Sequence, residues 1–229
     1  MPINYTVYKN FFQSSDGKNK IAYYTCMPNH ATPRSVVQII SDTNESFGAY
    51  SGLTEHLTSQ GYVVCVHDHI GRGESHIENS DEKRRTYIDV KKILVDDTLR
   101  MTAITRQNIE NLPIVYMGFG EGAKIARKIM EESNSADGYV LADNFVKEKK
   151  TEECEYVKKD IPLLILSKTE TSKKTNDNWA QELYNKYISA KFTDVRMILY
   201  KTEEKENISK EMKEKIFSDL VNWLRERNF

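Results

Sequence analysis

Apolar and polar positions along the chain alternate between two patterns: short apolar or alternating runs, and longer stretches with helical spacing. Tyr5 to Phe12 and Ile21 to Met27 alternate on either side of Ser14-Ser15-Asp16-Gly17, whose Asp-Gly favours a tight reversal, and this predicts a β-hairpin. Ser35 to Ser41 and Tyr62 to His67 are rich in β-branched residues. Between them Tyr50 to Gln60 carries Leu53, His56 and Leu57 at helical spacing, which gives a strand, helix, strand unit. Asp89 to Asn111 then places Val90, Ile93, Leu94, Met101 and Ile104 on one stripe, interrupted by Asp97 and closed by Leu112-Pro113, and reads as a long amphipathic helix.

The alternation continues with a strand at Ile114 to Met117, a helix at Glu121 to Glu132 and a strand at Gly138 to Ala142. After a polar stretch from Asn144 to Asp160 come strand Leu163 to Ser167, helix Asn178 to Ser189, strand Val195 to Tyr200 and a last helix. Ser209 is placed to cap that helix. Glu211 and Glu214 near its start and Arg225 and Arg227 near its end suit its dipole, while Met212, Ile216, Phe217, Leu220 and Trp223 or Leu224 face inward. Eight strands, opening with an antiparallel hairpin and continuing as strand and helix in turn, predict an α/β fold. It is a mostly parallel sheet with helices on both faces, three layers in all, formed by residues 1–229 as one domain.

Composition narrows the function classes. The 39% of hydrophobic residues fills one ordinary core, and 33 basic against 34 acidic residues leave a formal net charge of -1, which speaks against nucleic-acid binding. Lys147-Glu148-Lys149-Lys150 and Lys158-Lys159 balance nearby acids and read as a solvated loop. No apolar run has the roughly 20 residues of a membrane span, and Met1 to Asn10 has no signal core, so no transmembrane segment and a cytoplasmic location are expected. Cys26, Cys65 and Cys154 are widely spaced and odd in number, and read as thiols, the first two buried, without a disulfide framework. His67-Asp68-His69 lacks a third ligand, so neither a metal nor a cofactor is expected there; the plainer reading has His69 and Asp68 bonding the loop that carries Gly71 and Gly73.

The segment with most chemistry in it is Met117-Gly118-Phe119-Gly120-Glu121-Gly122-Ala123, where a buried strand turns into a helix. Two chemistries use such a turn. G-x-S-x-G exposes a nucleophilic serine, whereas G-x-G-x-x-G/A, matched here by Gly118, Gly120 and Ala123, sets a helix N-terminus against a dinucleotide pyrophosphate, with Asp143 near the place of a ribose-binding acid. The dinucleotide fingerprint normally opens its unit near the start of a domain, and here four strands precede it.

Those earlier residues carry a different resemblance. Ser14 to Gly17 with Ile21 to Tyr24, then Tyr50, then Gly61-Tyr62-Val63-Val64 leading into Asp68-His69-Ile70-Gly71-Arg72-Gly73-Glu74-Ser75, resemble the monoacylglycerol lipase and lysophospholipase branch of the α/β-hydrolase family, of the serine aminopeptidase S33 type. The D-H-x-G-x-G-x-S segment is its most specific part, and the resemblance extends through the elbow at Gly118 to Gly122, Ile161-Pro162-Leu163-Leu164 and the last helix.

The resemblance implies a Ser-His-Asp triad and hydrolysis of carboxylic esters, and the triad positions are where the chain departs from it. The nucleophile's place falls on Gly120, the acid's on Thr171, or on Glu170 if the loop is one residue shorter, and the histidine's near Lys205. All five histidines, His30, His56, His67, His69 and His76, lie in the first third of the chain. Where the family has His-Gly after the third strand stand Ser41-Asp42, and a carboxylate there opposes a developing oxyanion, although the N–H groups of Thr43 and Glu121 are placed to converge. The family's cap follows the strand ending at Ala142, and only about 18 residues, Asp143 to Asp160, occupy that interval, so the cap is expected to be reduced or absent.

The expectation is therefore a catalytically inactive hydrolase-like fold, a pseudoenzyme without cofactor. It would bind a small ligand at a remnant pocket of Ser41, Asp42, Thr43, Gly120, Glu121 and Thr171, or a protein partner on the uncapped face. The competing expectation is a lipase or esterase in which Ser41, Ser46 or another loop group replaces the nucleophile. Ser167, at a strand end, is a further candidate to line the pocket.

Overall fold

The computed structural model describes residues 4–75, 87–133, 135–142, 158–170, 179–202 and 209–229, with the side chains of 87–89, 170 and 202 left aside. Eight strands form one sheet in the order β1-β2-β4-β3-β5-β6-β7-β8. They are β1 (Tyr5–Gln13), β2 (Lys20–Pro28), β3 (Val36–Ile40), β4 (Val63–His67), β5 (Ile114–Phe119), β6 (Gly138–Ala142), β7 (Leu163–Glu170) and β8 (Val195–Thr202). β1 with β2 and β2 with β4 pair antiparallel, and every other neighbouring pair is parallel. The helices are α1 (Ser51–Ser59), α2 (Tyr87–Asn108), α3 (Glu121–Glu132), α4 (Trp179–Ser189) and α5 (Lys210–Glu226).

Successive strand residues point to opposite faces, so each all-apolar strand feeds two cores. Val36, Ile40, Val63, Cys65, Ile114, Tyr116 and Ile165 pack on one face with Leu94 and Met101 of α2, Ile129 of α3 and Tyr187 of α4. Their alternates Val37, Ile39, Val64, Val66, Val115, Met117 and Leu164 pack on the other with Leu53 and Leu57 of α1 and Leu220, Trp223 and Leu224 of α5. The three predicted layers are thus present. Gln38, the polar residue inside β3, is buried but satisfied: its amide donates to Thr98 O at 3.1 Å and its carbonyl accepts from Thr102 Oγ1 at 3.1 Å.

Asp97, the break in the α2 stripe, is a staple between α2 and the first hairpin. Its carboxylate accepts from Ser14 Oγ at 2.8 Å and from the Ser15 N–H at 2.6 Å, and burial raises its pKa above the ordinary carboxylate value. Asp68 does the same for the Gly71–Gly73 loop. It accepts from the N–H of Glu74 at 3.0 Å, the N–H of Phe47 at 2.8 Å and the Tyr24 hydroxyl at 3.2 Å, while His69 Nε2 lies 2.9 Å from Ser41 O. The Asp68 bonds are those the plainer reading of the His67-Asp68-His69 segment expected, whereas the His69 ring bonds the chain after β3 at Ser41 instead of the Gly71–Gly73 loop.

Cys26 and Cys65 are fully buried, and burial pushes their thiols up to about 12 and about 11, away from nucleophilic chemistry at neutral pH. Asp143, Cys154, Thr171, Lys205, His76 and the Lys147–Lys150 run lie outside the described residues. Among the described residues no helix is long and apolar enough to cross a membrane, and no cluster of three metal-ligating side chains occurs.

Candidate functional site

Strand order reverses around β3: the chain leaves β3 for β4 on one side and returns to β5 on the other. In open α/β sheets the crevice beyond the strand ends at such a point is where ligands bind. Here the crevice brings together Ser41-Asp42, after β3, and Phe119-Gly120, at the end of β5.

The β5–α3 turn is a sharp elbow. Gly120 has φ 54° and ψ -126°, and its N–H donates to Ala142 O at 3.1 Å. Side chains are also excluded at its two neighbouring glycines by packing, since a Cβ on Gly118 would overlap the backbone of Gly122 and Ala123, and one on Gly122 would overlap the carbonyls of Ile40 and Ser41. Packing thus accounts for two glycines of the turn, Gly118 by the return of the α3 backbone past it and Gly122 by the close approach of α3 to the end of β3.

Gly120 differs in what blocks it: a Cβ there would overlap the carboxylate of Asp42. That carboxylate accepts from the N–H of Glu121 at 3.4 Å through Oδ2 and from the N–H of Asn44 at 3.0 Å through Oδ1. The two amides that meet at this point are those of Glu121 and Asn44, where the sequence had pointed to Thr43 beside Glu121. The loop is held from behind: Tyr50 Oη accepts from the Asp42 N–H at 3.0 Å and donates to Glu45 Oε2 at 2.5 Å. Burial and the Glu45 bond raise the Tyr50 pKa, so it remains the neutral donor.

A cavity of about 720 Å³ opens beside this pair, within the range of small-molecule sites. Its walls come from the start of α1, the ends of β5, β6 and β7, and α5. Of the six remnant-pocket residues, Asp42 and Gly120 line it. Ser41 is fully buried, Thr43 and Glu121 lie off the lining, and Thr171 is outside the described residues. Sequence reasoning did not place Phe119, Lys168, Lys213 and Phe217 on the wall. Only Lys168 and Phe119 carried a signal, their position at the C-terminal ends of strands.

Ser167 is on the wall, its hydroxyl donating to Lys168 O at 3.2 Å. Among the described residues no histidine ring hydrogen-bonds the hydroxyl of Ser41, Ser46 or Ser167.

This elbow and switch-point geometry can be set beside known proteins. The family model described as serine aminopeptidase, S33, matches residues 31–222. The chain belongs to this family. Among curated relatives, a monoglyceride lipase homolog of Monkeypox virus is 30% identical over 94 residues, 41% of this chain and 32% of its own length. The human monoglyceride lipase is 26% identical over 95 residues, 42% of this chain and 29% of its own. The chain thus spans about a third of the length of the curated relatives it matches.

Among solved structures, a lipase in an open form superposes with a TM-score of 0.75 at 14% identity, covering 97% of this chain and 99% of that one. A thermostable carboxyl esterase from Bacillus coagulans gives 0.71 at 12% identity, covering 98% and 99%. At these identities the superpositions establish the α/β-hydrolase fold. The likeness to monoglyceride lipases that the hairpin and the D-H-x-G-x-G-x-S loop implied is borne out by the relatives.

Proposed function

We propose that this S33-family chain is a binding protein built on a hydrolase fold, taking a small ligand in the cavity beside Asp42 and Gly120, and that it does not cleave esters through its family's triad. The observation that carries the reading is the Asp42–Gly120 pair. At the elbow position of a nucleophilic serine there is no side chain, and the space for one is filled by a carboxylate that already accepts from the N–H at the start of α3. An anion held there competes with the oxyanion that such an N–H would stabilise. The absence of any histidine after position 76 supports the same reading, as the family's histidine follows the last strand. Loss of a whole triad typically lowers turnover about 10⁶-fold.

A lipase or esterase acting on carboxylic esters with a displaced nucleophile is the second reading. The names of the relatives favour it, and so does Ser167 on the cavity wall. Ser41 serves it poorly, being fully buried. Turnover of p-nitrophenyl butyrate separates the two: the binding reading expects a rate equal to that of heat-inactivated protein, and sustained turnover abolished by Ser167→Ala would overturn it.

A further inference from the structure

The cavity is polarised, and its two ends are unequally matched. At the β3 end the acids are engaged: Asp42 accepts from Glu121 and Asn44, and Glu45 from the Tyr50 hydroxyl. At the far end Lys168, on the last residues of β7, and Lys213, in the first turn of α5, line the wall, and among the described residues neither forms an ion pair. β5 and β6 lie between β3 and β7, so the ends are three inter-strand spacings, about 14 Å, apart. Lys213 also sits where the dipole of α5 disfavours a cation, so the stability of that helix does not explain it. Burial, with the charge of Lys213 adding to it, lowers the Lys168 pKa, as expected of two ammonium groups that share one wall. The same cavity is lined by the apolar side chains of Phe119, Ile216 and Phe217.

From this arrangement we infer that the cavity takes an organic anion, a carboxylate or phosphate monoester head against Lys168 and Lys213, with an apolar or aromatic body along Phe119, Ile216 and Phe217. The inference rests on the reading of the cavity as a ligand site and adds the charge of the ligand.

Calorimetric titration at low salt with 2-naphthoate, 2-naphthyl phosphate, 2-naphthamide and 2-naphthylmethylammonium tests it. Both anions are expected to bind at least about tenfold more tightly than the amide, the worth of one charge-assisted contact. Lys168→Gln and Lys213→Gln should each remove most of that advantage and leave amide binding unchanged, which also shows the variants to be folded. Equal affinity for amide and anions, tighter binding of the ammonium, or no binding of any of the four would overturn the inference. So would variants that weaken all four alike. Ester turnover on the same preparation keeps the two questions apart. Turnover defeats the non-hydrolytic reading whatever the naphthyl series does, and equal affinities without turnover defeat the anion assignment alone.

Discussion

A side chain at position 120 would meet two obstacles at once, a backbone with φ 54° that L-residues rarely adopt and the carboxylate of Asp42 in the space for its Cβ. The first cost is that of any nucleophile elbow; the second comes from Asp42. Gly120→Ser should therefore destabilise by about 2–4 kcal/mol, combining backbone strain and overpacking. Asp42→Gly in the same chain should recover about 1 kcal/mol or more of that as coupling, read by a double-mutant cycle in urea. Additive effects would mean that the two residues do not share space. At this scale the sequence was legible where identity alone carries the meaning: a glycine at the elbow, an aspartate after β3. It was not legible where two distant segments make one wall, since nothing near Lys168 in sequence announces that Lys213 will stand beside it.

Helix α5 closes the cavity, and its start is set by one hydroxyl: Ser209 Oγ accepts from the Met212 N–H at 3.2 Å. Ser209→Ala should cost about 1 kcal/mol, measured as a fall in thermal midpoint, and Ser209→Asp should retain most of the stability. Strand β4 ends in a second device. His67 and His69 are buried there with their rings 5.0 Å apart, and burial lowers both pKa values, with further lowering of His67 by its neighbour.

A base whose folded pKa is depressed gives stability that is full above its unfolded value of about 6.5 and is lost as pH falls toward the folded value. Each histidine thus contributes a slope of up to about 1.4 kcal/mol per pH unit below that point. His67→Leu removes one such share, and because neither ring nitrogen of His67 has a hydrogen-bond partner among the described residues, it forfeits none of the bonds described. Urea unfolding between pH 7.5 and 5.5 checks both points; an unchanged slope in His67→Leu would contradict them.

The elements themselves were readable because their apolar periodicity is strong. β3, β5, β6 and α3 lie within two residues of their predicted bounds. β7 and β8 run on to Glu170 and Thr202 through polar residues that pair strand to strand, a contact hydrophobic pattern does not record. The 3-10 turn at Phe47–Tyr50, which delivers Tyr50 to the Asp42 loop, is likewise too short to carry a period.

At the scale of the whole molecule, the proposed reading has the chain keeping the parts of the S33 family that build a site and losing those that react within it. The switch point, the elbow, the Asp68-centred loop and a cavity of about 720 Å³ are all in place. Fold and site thus have separate determinants: buried alternation sets the sheet, while a few residues at strand ends set the chemistry.

The measurement that tests the central claim most directly is intact mass after incubation with a fluorophosphonate probe, with an active serine hydrolase treated in parallel. It reads nucleophile activation regardless of which ester the protein would prefer. The account predicts an unchanged mass for this chain while the parallel enzyme is fully labelled. A stoichiometric adduct on this chain would contradict it, and mapping the labelled residue would name the nucleophile in use.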